Sequence, residues 1–165
     1  MRKIIVFLSA GLLLLLPLSA APSARAAVSL NADRLVVDFI ETLKKKDYAA
    51  AYDLFSERFK KEISLPQHVG LLEILQEELG DIEDYESVVM PFLTSSAKEG
   101  EVLSDLPPSD IKRYTYDLKY EKRTVHAIIS LVKESDGYRI GFFEITGTGF
   151  ETDPQVQEKV RALGL

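Results

Sequence analysis

The chain has no cysteine. That removes disulfides, thiolate catalysis, cysteine zinc sites and a lipid-modified N-terminal cysteine, so stability must rest on packing alone. Asparagine occurs once, as Asn31, and Ala-Asp follows it, so no N-glycosylation sequon exists. There are two histidines, His68 and His126. Neither has a partner at metal-ligand spacing, and no H-E-x-x-H or carboxylate loop occurs; the expectation is no metal and no cofactor. A G-x-S-x-G nucleophile elbow is missing. The run Gly147-Thr148-Gly149 lacks the rest of a dinucleotide fingerprint and reads as a flexible exit from a sheet.

What is present begins with a leader. Arg2 and Lys3 precede an apolar run from Ile4 to Leu18, and Ala24-Arg25-Ala26 supplies small residues at −3 and −1. The run is shorter than the roughly 18 to 20 residues of a spanning helix. Residues 1–26 are therefore read as a signal peptide cut between Ala26 and Ala27, giving a secreted or periplasmic protein with no membrane attachment after cleavage. Residues 27–165 are read as one domain, with a core over 32–147 and a tail over 148–165. The mature part carries 17 basic against 26 acidic residues, a net charge of −9. A chain this acidic, with no long basic run, is a poor partner for nucleic acid or anionic lipid.

The first half is helical in period. Asn31 is an N-cap, and Val36, Phe39, Ile40 and Leu43 follow on one face. Lys44, Lys45 and Lys46 close that helix, and Asp47 caps a second whose apolar face is Tyr48, Ala51, Tyr52, Phe55 and Phe59. Ser64 and Gln67 form a capping box for a third helix bearing Leu71, Leu72, Leu75 and Leu79, with Gly80 after it. The second half changes to strand period. Strands are predicted over 85–95 (an edge strand, because of Pro91), 112–121, 124–134 and 138–146. Asp136-Gly137 and Lys122-Arg123 are the expected hairpin turns. Asp153-Pro154 opens a short C-terminal helix.

Those turns set a register. Glu121 would pair with Thr124, Ser135 with Tyr138, and Tyr116 and Glu144 would both sit opposite Ile129. One sheet face then holds Tyr114, Tyr116, Leu118, Tyr120, Val125, Ala127, Ile129, Leu131, Tyr138, Ile140, Phe142 and Glu144, and should receive the helices. The opposite face holds polar groups, His126 among them, together with Ile128, Val132, Phe143 and Ile145. Those four apolar residues are read as a homodimer surface or as a face covered by the C-terminal tail.

A helix pair joined at Lys46-Asp47-Tyr48, the second helix "YAAAYDLFSERFKK", a leucine-rich third helix and a closing strand "YRIGFFEITG" resemble the nuclear transport factor 2-like superfamily. Within it the chain resembles secreted bacterial domains of unknown function. The resemblance covers about residues 32–147 and implies a cone-shaped α+β fold, also described as cystatin-like: three N-terminal helices on a curved four-stranded antiparallel sheet. That superfamily includes isomerases, dehydratases, small-ligand binders and accessory domains, so fold alone does not choose an activity.

The candidate site follows from the register. Glu144 on an apolar face would have a raised pKa and could act as a general base, with Tyr116 the second polar group, two strand spacings (roughly 9.6 Å) away. Tyr114, Tyr116, Tyr120, Tyr138, Phe142 and Glu144 would line a ligand pocket. The reading leans to a non-enzyme that binds a small apolar ligand or contacts a partner protein. The alternatives are an isomerase or dehydratase using Glu144, and a structural module with a filled core.

Overall fold

The computed structural model describes residues 31–89, 103–150 and 153–165. Among them are five α-helices and four strands: α1 Ala32–Lys44, α2 Tyr48–Asp53, α3 Glu57–Glu62, α4 Leu65–Leu79, β1 Ile82–Ser87, β2 Ile111–Tyr120, β3 Thr124–Glu134, β4 Gly137–Thr146 and α5 Pro154–Ala162. The strands form one antiparallel sheet in the order β1-β2-β3-β4. The protein is an α+β fold.

Local chemistry sets the helix ends. The Asn31 side chain accepts from the backbone N–H of Asp33 (3.0 Å) and Arg34 (3.4 Å), and Asp47 accepts from Ala50 (3.1 Å). At the end of α1, Lys46 N–H donates to Leu43 O (3.0 Å) and Asp47 N–H to Thr42 O (3.0 Å). This is the Schellman pattern, and it puts Lys46 in the left-handed region at φ 59° where glycine is usual. A non-glycine residue there costs about 1–2 kcal/mol.

The single second helix expected from Tyr48 to Lys61 is divided. At Leu54–Ser56 the chain leaves the helix to pair with the outer edge of β4: Ser56 N–H donates to Ile140 O (2.8 Å) and Ile140 N–H to Leu54 O (3.0 Å). Ser56 then caps α3, its hydroxyl accepting from Phe59 N–H (3.2 Å). The break satisfies backbone groups of an edge strand that would otherwise lack partners, so the long apolar period concealed two short helices. The first strand starts earlier than expected, at Ile82, and ends at Ser87; Pro91 lies outside the described residues.

The hairpin registers also differ from expectation. Between β2 and β3 the turn is Glu121-Lys122, with Tyr120 N–H donating to Arg123 O (2.9 Å). Tyr116 therefore faces Ala127, not Ile129. A slip of two keeps every side chain on its expected face. Between β3 and β4 the turn is Ser135-Asp136, with Gly137 at φ 144° taking up the left-handed conformation. Pairing runs Leu131 to Ile140 and then resumes at Ser130 to Phe142, leaving Gly141 as the extra residue of a β-bulge.

The bulge reverses the faces of the rest of β4. Phe143 pairs with Ile129 and Ile145 with Ala127, on the helix-facing side, whereas Glu144 pairs with Ile128 and Phe142 with Ser130 on the outer side. A regular strand would press a carboxylate onto apolar side chains, a costly burial. The bulge instead delivers Phe143 to Phe39, with ring centroids 5.0 Å apart, edge to face. Gly141 tolerates this because a Cβ there would lie 2.5 Å from Val132 Cγ1.

The core fills the space between the helices and this face. Leu35, Val36, Phe39 and Ile40 of α1 and Phe55 pack on Leu118, Ala127, Ile129 and Ile140. A second cluster lies on the outer face, where Leu103 covers Val132 and Phe142, with Leu106 and Ile111 against it. The apolar half of the outer face is thus partly covered by the connection between β1 and β2. The C-terminal helix lies on α4 instead, where Lys159 Nζ meets Glu77 (2.9 Å) and Glu78 (2.8 Å).

Candidate functional site

The expected pocket residues divide between the two faces. Tyr114, Tyr116, Tyr120 and Tyr138 belong to the main core, as expected. Tyr116 and Tyr120 are 9% and 8% exposed. Tyr114 is half-buried and donates its hydroxyl to Asp33 Oδ1 (2.6 Å). Burial raises its pKa, and the Asp33 carboxylate raises it further. Phe142 and Glu144 lie across the sheet from these tyrosines. The expected pair Glu144 and Tyr116 therefore cannot share a chamber. The four residues read as one contact surface are also separated: Phe143 and Ile145 pack into the main core, Val132 is 4% exposed beneath Leu103, and Ile128 stays half-buried on the outer face.

Next to Tyr120 is a hollow of about 20 Å³, between the end of α1 and the junction of α4 with β1. That volume suits a single water molecule. Its polar wall is a chain of contacts built by the Lys46-Asp47-Tyr48 turn. Lys46 Nζ meets Asp81 Oδ1 (2.8 Å), Gln76 Nε2 donates to the same oxygen (2.7 Å), and Tyr48 donates to Gln76 Oε1 (2.5 Å). The hydrogen bond from Lys46 holds the Asp81 carboxyl below its ordinary pKa. Burial raises the Tyr48 and Tyr120 hydroxyls. The strained Lys46 thus joins the helix pair to the sheet.

On the outer face, the two-residue slip sets Asp117 directly opposite His126, and Asp117 Oδ1 lies 2.5 Å from His126 Nδ1. A carboxylate there selects the tautomer with the proton on Nδ1, leaving Nε2 as the basic nitrogen. One row away, Thr115, Ile128 and Glu144 lie side by side on three strands. Thr115 Oγ1 and Glu144 Oε2 are buried with no partner among the described residues. The sequence placed His126 on this face but not its partner; only the true register reveals Asp117. Among the described residues, no three His, Asp or Glu side chains converge as a metal site.

His68, in the first turn of α4, is 3% exposed and sits among three rings. Centroid distances are 5.4 Å to Tyr52, 4.9 Å to Phe55 and 6.0 Å to Phe59. Its Nε2 is buried and unpartnered among the described residues. Burial lowers its pKa to about 4. His68 lies three residues before Leu71 and four before Leu72, on the apolar side of α4, but the ring nest depends on the break at Leu54–Ser56.

Comparison with protein-family models, with curated proteins and with solved structures finds no match to this chain. Among the described residues, no helix is long and apolar enough to cross a membrane.

Proposed function

We propose that the chain is a secreted, non-catalytic domain of the cone-shaped, nuclear transport factor 2-like kind, and that it acts by contacting a partner protein. The observation carrying this reading is the filled space between helices and sheet. Phe39, Phe55, Leu118, Ile129 and Ile140 are buried side chains where a ligand chamber would lie. The hollow beside Tyr120 is about 20 Å³, against the roughly 300 Å³ or more of a small-molecule site. Separation of Glu144 from Tyr116 by the thickness of the sheet weighs against acid–base chemistry by that pair.

Native mass spectrometry of the mature protein purified from its own host tests the reading. The expected spectrum shows the chain alone or with a second polypeptide. A non-protein adduct that leaves on denaturation would contradict it and would restore a ligand-binding domain.

A further inference from the structure

The break between α2 and α3 does more than divide a helix. Leu54–Ser56 covers the edge of β4 with two hydrogen bonds, Ser56 N–H to Ile140 O (2.8 Å) and Ile140 N–H to Leu54 O (3.0 Å). Phe55, at the centre of this strap, is 1% exposed, stacks on Phe59 (4.0 Å) and meets the His68 ring edge to face at 4.9 Å. The strap is therefore held on the sheet by a ring nest whose one ionisable base is His68.

We propose that His68 is an acid-sensitive latch: protonation of its buried ring loosens the Leu54–Ser56 strap and uncovers the edge of β4 at Ile140. The ring is desolvated and Nε2 has no acceptor among the described residues, so a proton added there leaves a charge without hydrogen-bond compensation. The groups around the nest do not supply it. From α2, Tyr52 gives its hydroxyl to Ile63 O (2.9 Å), and its pKa is raised by burial first and then by the carboxylates of Glu57, on α3, and Asp53. From α3, Lys60 lies 5.6 Å over the Tyr52 ring and bears the same sign as an imidazolium. From α4 itself, Gln67 is turned to Leu163 O (3.2 Å). Opening the strap parts two backbone hydrogen bonds and draws Phe55 away from the Phe39, Phe59 and His68 rings, whereas the rest of the sheet can stay paired.

The sign follows from the lowered pKa. Above pH 6.5 the ring is neutral both folded and released, and the strap is fully held. As pH falls from 6.5 toward about 4, the released form takes up a proton that the closed form refuses. The opening equilibrium then rises by up to about tenfold per pH unit. The released edge presents unpaired backbone groups, the kind of surface to which another strand adds.

Native-state hydrogen exchange on the mature chain between pH 7 and pH 5 tests this. The Ser56 and Ile140 amides are expected to exchange through an opening more frequent than that of central β3. Their protection should fall as pH drops below 6.5, approaching tenfold per unit. His68→Phe, which keeps an aromatic ring but cannot titrate, should remove that slope. If the variant fails to fold, the wild-type profile still decides. Protection that does not change with pH, an equal slope in His68→Phe, or exchange of both amides in step with central β3 would each overturn the latch.

Discussion

Replacing Phe39 with alanine is expected to lower the unfolding free energy by about 3–5 kcal/mol. Phe39 is fully buried, and its ring meets Phe55 at 5.5 Å and Phe143 at 5.0 Å, both edge to face. It joins α1 to the strap on one side and to β4 on the other, so truncation leaves a cavity that two separate elements would have to move to fill. Phe143→Ala should cost less, because Phe143 is only half-buried. The two losses should not add: a double-mutant cycle is expected to return a coupling of about 0.5–1.5 kcal/mol, typical of an aromatic pair. Urea unfolding of the wild type, both single variants and the double variant measures it. Additive losses would mean that the rings do not touch.

Gly141→Ala is the second large effect. At a position without a steric demand, this substitution stabilises a protein by about 0.4–1 kcal/mol through the unfolded chain. Here the added methyl would stand 2.5 Å from Val132 Cγ1 and 3.4 Å from Leu103 Cδ2. Val132 is β-branched, buried and confined to few rotamers, so it cannot swing away cheaply. A loss of about 1–3 kcal/mol is expected, the usual range for overpacking. Gly147→Ala makes a useful contrast. A Cβ there meets nothing within 4 Å, so any loss comes from its φ of 80° and not from a clash. Thermal or urea unfolding of the two variants separates crowding from backbone strain.

Which parts of this were legible in the sequence depends on how local their causes are. The caps at Asn31, Asp47 and Asp153 rest on contacts within a few residues, and each stands where the residue types place it. So does the capping box of α4, where Ser64 N–H donates to Gln67 Oε1 (3.0 Å). The faces of β2 and β3 survived a two-residue slip because side-chain alternation has a period of two. The bulge did not announce itself. Phe142 and Phe143 are both apolar, so either phase of β4 buries a phenylalanine, and the choice rests on Val132 and Phe39, distant in sequence. That one residue moved Glu144 off the helix-facing side and brought Phe143 and Ile145 onto it, changing the candidate site more than any other feature. The break at Leu54–Ser56 was hidden in the same way, since its cause is the edge of β4.

The phase of β4 beyond Gly141 decides which side chains face the helices, and with it whether the sheet shows them a filled apolar surface or a buried acid. A nuclear Overhauser spectrum of the protein, with aromatic protons assigned, tests it most directly. Cross-peaks between the ring protons of Phe39 and Phe143 are expected, with none from Phe39 to the Glu144 side chain. Cross-peaks from Phe39 to Glu144 or Phe142, and none to Phe143, would contradict the bulge and return Glu144 to the face where it could act as a base.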